Sequence, residues 1–310
     1  MTSVESTPER ATTLDVTQAI ERPAAVTHRR IAVVPAYNEE ATVAVVLERL
    51  AGLVDELVVV DDGSTDATRA EIEAWLPGHD HVRLIVHERN QGMSAAYYTA
   101  FIDLRRRIVD GEVSADDLIY TIDADGQHEL AVLEELQRIM LHDGLDALLV
   151  QRDLEGYPLY KQLGNRLLSA WATLWAGGPL LDVESGYRIF RAGALANALD
   201  YYQGYKYSET VEVAVVLSRL GYKVRNDVLV PVPIYRSRTR MVDVVIDLCA
   251  IPAAAVRVQR RAPASEPVPS LAKPVAVTAA LAAAGLAGAY AGWRVLRASV
   301  SRWLKHRRRR

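Results

Sequence analysis

The run Asp123-Ala124-Asp125-Gly126-Gln127-His128 places two carboxylates and an amide at alternate positions. That is a hard, oxygen-rich donor set, suited to Mg²⁺ or Mn²⁺ carrying a diphosphate rather than to Zn²⁺, which favours Cys and His. His128 beside it reads as a hydrogen-bonding support rather than a ligand. An Asp-x-Asp alone is also a common acidic surface turn, so its neighbours decide. Two other polar clusters, Pro35-Ala36-Tyr37-Asn38-Glu39-Glu40 and Asp61-Asp62-Gly63-Ser64-Thr65-Asp66, likewise follow short apolar runs. If those runs are strands of one sheet, all three clusters meet at its C-terminal edge, where open α/β sheets bind ligands. Ordinary surface turns would scatter.

The elements that must position these residues alternate along the chain. Ile31–Val34, Leu57–Val60, Val82–Val86, Leu118–Ile122 and Ala147–Val150 are apolar strands. Between them lie helices: one with Val43, Val46, Leu47 and Leu50 at helical spacing, one after Asp66 with Ser64 or Thr65 as cap, one from Asn90-Gln91-Gly92 to about 108, and one over about 130–141. Continuous Val/Ile/Leu strands between amphipathic helices predict an α/β fold, with a Rossmann-like, mostly parallel sheet flanked by helices. It is assigned to residues 29–240. Residues 1–28, polar with scattered Thr, Glu and Pro, read as a disordered leader.

The chain has 310 residues, half of them apolar, enough for one good core and an appendage. A net charge of −3 argues against a general nucleic-acid binder. One cysteine, Cys249, excludes an internal disulfide and fits a reducing compartment. After the α/β region the composition changes. Residues 241–258 suit an amphipathic juxtamembrane helix, and 259–273 form a linker rich in Pro and Ala. Residues 274–293 carry no charge over about the length a bilayer requires. Gly288-x-x-x-Gly292 would let two such helices approach closely, as in a homo-oligomer. Val295, Leu296, Val300, Trp303 and Leu304 then share one side of a basic tail ending in Arg307–Arg310, a pattern suited to anionic membrane lipid. Positive charge after the apolar stretch opposes a simple crossing that keeps the preceding region inside. The segment therefore crosses against that rule, dips in and returns, lies flat, or packs on the core as an Ala-rich helix. The expected location is the cytoplasmic face of the membrane, held by this C-terminal segment.

The three motifs, in this order and spacing, resemble those of the family 2 glycosyltransferases with a GT-A fold. Over residues 29–250 the chain is similar to the dolichyl- and polyprenyl-phosphate sugar synthases. The resemblance implies that Pro35, Tyr37 and Glu39 line the base and ribose pocket of a UDP- or GDP-linked sugar, with Asp61 and Asp62 holding the base or ribose. Asp123, Asp125 and Gln127 would hold Mg²⁺ or Mn²⁺ on the donor diphosphate. Asp182-Val183-Glu184-Ser185-Gly186-Tyr187-Arg188 resembles an acceptor-side segment, with Asp182 near the attacking group and Arg188 binding phosphate or pairing with a carboxylate. Arg152 matches a family arginine and would bind the acceptor phosphate. Glu212 matches a carboxylate near the sugar, although Glu209 and Glu212 could both simply favour a helix N-terminus. Arg238 and Arg240, with Arg236, would clamp phosphates.

The chain also departs from the family pattern. Asn90-Gln91-Gly92-Met93-Ser94 lacks a lysine and a glycine, Glu184 replaces a threonine, and Val150-Gln151 replaces Gly-Ser before Arg152. The Gln-x-x-Arg-Trp signature of processive synthases is absent. The implied activity is inverting transfer of a sugar to a polyprenyl phosphate. The alternatives are a hydroxyl acceptor (lipid, glycan or secondary metabolite), and a membrane-tethered nucleotide-sugar binder without turnover.

Overall fold

The computed structural model describes residues 28–204, 208–231, 241–265 and 267–284, with the backbone of Thr12–Thr13. Arg236, Arg238 and Arg240, the Gly288-x-x-x-Gly292 pair and the basic tail lie outside the described residues.

In chain order the elements are β1 (Thr12–Thr13), β2 (Arg30–Ala36), α1 (Val43–Ala51), β3 (Glu56–Asp61), α2 (Thr68–Trp75), β4 (Val82–Val86), α3 (Met93–Val109) and β5 (Leu118–Thr121). They continue with α4 (Leu133–His142), β6 (Ala147–Leu149), β7 (Gln151–Asp153), α5 (Leu159–Ala176), β8 (Arg188–Arg191), α6 (Ala192–Ala198), α7 (Glu209–Arg219), β9 (Val224–Arg225), β10 (Val228–Pro231) and α8 (Met241–Arg261). Seven strands form the central sheet, ordered β4-β3-β2-β5-β8-β6-β9. Every pairing is parallel except those of β8, which runs antiparallel to β5 and β6. The sheet is α/β and mostly parallel, as the strand pattern predicts. β8 escapes the pattern because Arg-Ile-Phe-Arg is half charged.

Strands β2, β3 and β5 are buried nearly throughout, which requires helices on both faces. On one face Val34, Val59 and Tyr120 join Val43, Val46, Leu47 and Leu50 of α1 and Leu133, Leu136 and Met140 of α4. On the other, α3 packs on β2 and β3. Two residues beyond β6 the chain leaves the main sheet: β7 pairs in parallel with β10, and β10 with β1, as a second small sheet. Helices α5, α7 and α8 pack on one another, with the Trp171 indole N–H donating to the Leu248 carbonyl at 3.0 Å.

The expected cap at Ser64 or Thr65 is corrected. Helix α2 begins only at Thr68, whose N–H and hydroxyl both donate to Asp66. Ser64 and Thr65 are instead used to tie two loops together.

Residues 270–310 form a separate compact unit, helical over 272–284 in its described part. Among the described residues no helix is long and apolar enough to cross a membrane.

Candidate active site

The first two polar clusters lock to each other before any ligand is considered. Asn38 adopts the left-handed backbone (φ 54°) that Asn tolerates better than other side-chain-bearing residues. Its N–H donates to Ser64 Oγ, and its Oδ1 accepts from the Thr65 N–H at 2.9 Å. The Glu39 N–H donates to Thr68 Oγ1. Pro35 sits in β2 opposite Val60, beyond the last residue of β2 paired with β5, and Tyr37 stands half-exposed at the rim. Asp61 is buried and accepts from the Ser64 N–H.

Asp62 is buried too, and its carboxylate accepts from the Gln91 N–H (2.9 Å) and the Gly92 N–H (2.8 Å), with His87 Nδ1 at 2.7 Å. These bonds turn Asp62 toward the loop before α3. Gly63 makes that approach sterically achievable: its φ is 66°, and a Cβ there would lie 2.3 Å from the Arg89 carbonyl carbon.

The third cluster follows β5. Asp123 Oδ1 accepts from the Tyr97 hydroxyl at 3.0 Å. His128 Nδ1 accepts the Asp123 N–H, so its N–H resides on Nε2, 3.5 Å from Asp123 Oδ2. The ring also stacks on Tyr187, centroids 4.7 Å apart. Asp125 Oδ1 accepts the Gln127 N–H, closing the turn through Gly126 at φ 74°. Gly186 approaches from the Asp182–Arg188 segment so closely that a Cβ would meet Asp123 Oδ2 at 3.2 Å.

Asp123, Asp125 and Gln127 offer hard oxygens and are only partly buried. Among the described residues no group of three or more His, Cys, Asp or Glu converges as a metal cage. Two carboxylates and an amide are the kind of hard oxygen donors that suit a cation such as Mg²⁺, which usually completes its coordination with phosphates and water.

An open cleft of about 490 Å³ brings Asp123, Gln127 and His128 together with Arg152, Tyr157, Glu184 and Ser185. Arg152 and Asp182 are joined by three hydrogen bonds: the backbone N–H at 3.0 Å, Nε at 2.8 Å and one terminal nitrogen at 2.9 Å. Burial acts to weaken Arg152's hold on its proton, but the Asp182 charge and hydrogen bonds together with the Glu184 charge outweigh it, and the guanidinium is held firmly cationic. Glu184 Oε2 lies 3.6 Å from the same guanidinium. The Asn165 amide, oriented by its surroundings, donates to both Asp182 and Glu184. Burial raises the Glu184 carboxyl, opposed by Arg152 and reinforced by Asp182. The buried Ser185 hydroxyl has no partner among the described residues, leaving it available to a ligand.

Arg188 differs from the expectation of a phosphate or carboxylate partner. It is 2% exposed, and its three nitrogens donate to the carbonyls of Ser185, Thr210 and Val183. Burial lowers its pKa to about 10. Buried and aimed at main chain, it shapes the Asp182–Arg188 loop from behind.

Glu212 likewise turns away from the cleft: it accepts from Ser208 Oγ and the Gln203 N–H and pairs with Arg257 of α8. Glu209, one turn earlier, lies beside the site. It accepts from Ser94 Oγ and forms a cavity wall with Tyr97 and Arg188. Burial raises its pKa to about 8, opposed by the Ser94 hydrogen bond. Tyr97, Glu184, Tyr187 and Glu209 were given no site role from the sequence; the hints were Glu184 and Ser94, which depart from the family's threonine and glycine.

Residues 31–195 match the family model described as glycosyl transferase family 2. The chain belongs to this family. Among its relatives, a UDP-N-acetylglucosamine–dolichyl-phosphate N-acetylglucosaminyltransferase of Methanococcus voltae is 29% identical over 60% of this chain and 78% of its own length. An undecaprenyl-phosphate mannosyltransferase of Micrococcus luteus is 28% identical over 63% and 80%. Glucosyl-3-phosphoglycerate synthase of Mycobacterium tuberculosis, solved with Mn²⁺ and UDP-glucose, superposes with a TM-score of 0.53 at 19% identity, covering 81% of this chain and 86% of that one. That likeness carries the fold. The loops after β2 and β3, the acidic loop and the Arg152 cleft of this glycosyltransferase lie along one edge of its sheet.

Proposed function

We propose that the chain transfers a sugar, with inversion, from a UDP- or GDP-linked donor to a polyprenyl phosphate at the cytoplasmic face of a membrane. The observation that carries this reading is one cleft lined by both the acidic loop and Arg152, opening beside a lipid-compatible helix. Tyr157 lines that cleft, and α5 begins two residues later. Leu159, Tyr160, Leu163 and Leu167 of α5 are each more than half exposed and share roughly a 100° arc, with exposed Arg166 at its edge. Such a ridge suits a bilayer surface with anionic headgroups. The M. voltae and M. luteus relatives, named for polyprenyl-type phosphate acceptors, support the same acceptor class.

In this reading Asp123, Asp125 and Gln127 hold Mg²⁺ or Mn²⁺, which neutralises charge on the departing diphosphate. Tyr97 and His128 fix the Asp123 carboxylate, so the donor meets a preset ligand. An acceptor phosphate oxygen bonds to the anomeric carbon as the bond from that carbon to the nucleoside diphosphate breaks on the opposite face. A phosphate monoester is largely ionised at neutral pH, so no strong general base is required. Arg152, kept cationic and oriented by Asp182, is the cleft's anchor for that anion.

The test is transfer by the full-length protein in detergent, from UDP- and GDP-sugars to polyprenyl phosphate, with Mn²⁺ or Mg²⁺ and with chelator. Metal-dependent formation of a polyprenyl-phosphate sugar, lost by more than a hundredfold in Asp125→Ala, is expected. Transfer only to a hydroxyl acceptor would favour the second enzyme reading. Metal-dependent donor binding with no turnover on any acceptor would make the chain a nucleotide-sugar binder.

A further inference from the structure

The only cation lining the acidic cleft among its described residues is Arg152, and one edge of its guanidinium is already taken. Asp182, 4% exposed, holds the backbone N–H, Nε and one terminal nitrogen. Toward the cleft, Arg152 is faced by Glu184 at 3.6 Å, an ion-pair separation longer than a good hydrogen bond. Both side chains are 27% exposed there, whereas Asp182 is enclosed. One guanidinium thus answers two carboxylates, and the cluster is net negative where an anionic acceptor must arrive. Like charges at such distances cost heavily in a partly desolvated cleft.

We infer that Glu184 occupies, on Arg152, the place an acceptor's phosphate takes, and that phosphate binding proceeds with uptake of one proton by Glu184. Protonated, Glu184 ceases to repel the anion and donates a hydrogen bond to one of its oxygens; the proton comes from solvent and returns when product leaves. This rests on the phosphate-acceptor reading above. Other groups around Glu184 bear on the balance. Arg152 and Lys161 of α5 favour its anion, Asp182 opposes it, and Asn165 donates to it in either state. Tyr157, Asp123 and His128 line the same cleft. Burial pushes the carboxyl upward, in the direction the exchange requires. A residue in this position sets acceptor affinity and its pH range, and the threonine of the family pattern would not.

The test compares full-length wild type with Glu184→Gln and Glu184→Thr. Calorimetry with a short-chain prenyl phosphate, in buffers of different ionisation enthalpy, reads protons taken up on binding. Between about pH 7.5 and 9 the phosphate is already fully ionised. Wild type should take up close to one proton and lose acceptor affinity severalfold per pH unit; both variants should take up none and bind at least fivefold tighter at pH 8.5. Inorganic phosphate in a parallel titration separates headgroup recognition from chain recognition. Equal affinity and equal proton uptake in wild type and variants would overturn the inference. So would a loss of turnover above a hundredfold in Glu184→Gln at every pH, the mark of a general base. Failure of the acceptor reading itself would appear differently, as no prenyl-phosphate binding by wild type at any pH.

Discussion

Tyr97 shows how one hydroxyl can orient Asp123, the carboxylate proposed to hold the metal. Burial pushes its phenol well above the usual range, so at neutral pH it is a donor, aimed at Asp123 Oδ1. Tyr97→Phe should remove that bond with little loss of packing. It should cost about 1–1.5 kcal/mol, roughly five- to tenfold in apparent Mn²⁺ affinity, with kcat at saturating metal reduced far less. A Mn²⁺ titration of donor turnover checks this, and an unchanged curve would dismiss the role. Glu209 offers a pH prediction. Its folded pKa, raised to about 8, exceeds the ordinary glutamate value of 4.5, so the native state binds the extra proton. Its contribution to stability is full below about 4.5 and is lost as pH rises through about 8. Glu209→Gln should flatten that decline and unfold at higher urea than wild type at pH 8.5. Equal slopes from pH 6 to 8.5 would refute it. Neither residue was legible in advance. A tyrosine on α3 and a glutamate opening α7 look like ordinary helix residues until the fold sets them against Asp123 and Ser94.

At the scale of elements, the loops after β2, β3 and β4 behave as one block. Asn38 binds Ser64 and Thr65, and Asp62 holds the backbone of Gln91 and Gly92. Gly63 is the keystone, because a Cβ would fall 2.3–2.6 Å from the Arg89 and Asn90 backbone. Gly63→Ala should therefore cost on the order of 3 kcal/mol, about 10 °C in Tm, and weaken donor binding. Gly111 has a φ of 78° and nothing within 4 Å of a Cβ, so Gly111→Ala should cost only about 1 kcal/mol. Equal Tm losses in a thermal melt would mean that backbone strain, not loop contact, dominates at Gly63. The strands that carry these loops were readable because their apolar runs are unbroken. β8 was not, since its two arginines hide it, and its antiparallel course is what brings Gly186 against Asp123.

At the scale of the whole molecule, the exposed ridge of α5 bears on the proposed membrane location. Leu163→Gln with Leu167→Gln leaves the core untouched, since both side chains face outward. The double variant should keep its Tm and lose about tenfold or more in binding to anionic vesicles, on the order of 1.5 kcal/mol. Co-sedimentation with phosphatidylglycerol vesicles reads it, and undiminished binding would refute the proposed membrane role of the α5 ridge. Helix α8, which packs on α5, is anchored inward: its Arg257 donates to the Tyr201 carbonyl and to Gln203 and pairs with buried Glu212. That partnership explains why Glu212, chosen from the sequence for the sugar site, serves to hold two helices together.

By themselves, the residues and their spacing determined the α/β layering, the parallel strands, the three loops sharing one edge, and the kind of cation their oxygens suit. Those features are local: periodicity sets the elements, and donor chemistry does not depend on neighbours. Only tertiary structure decided which charged side chains face the cleft and which are consumed by main chain or by one another. Asp62, Arg188 and Glu212 were taken inward, while Glu184 and Glu209 came to the site. An ionisable group settles wherever hydrogen-bonding partners repay its desolvation, and some of those partners are distant in sequence: 30 residues away for Asp62, 45 for Glu212 and 115 for Glu209.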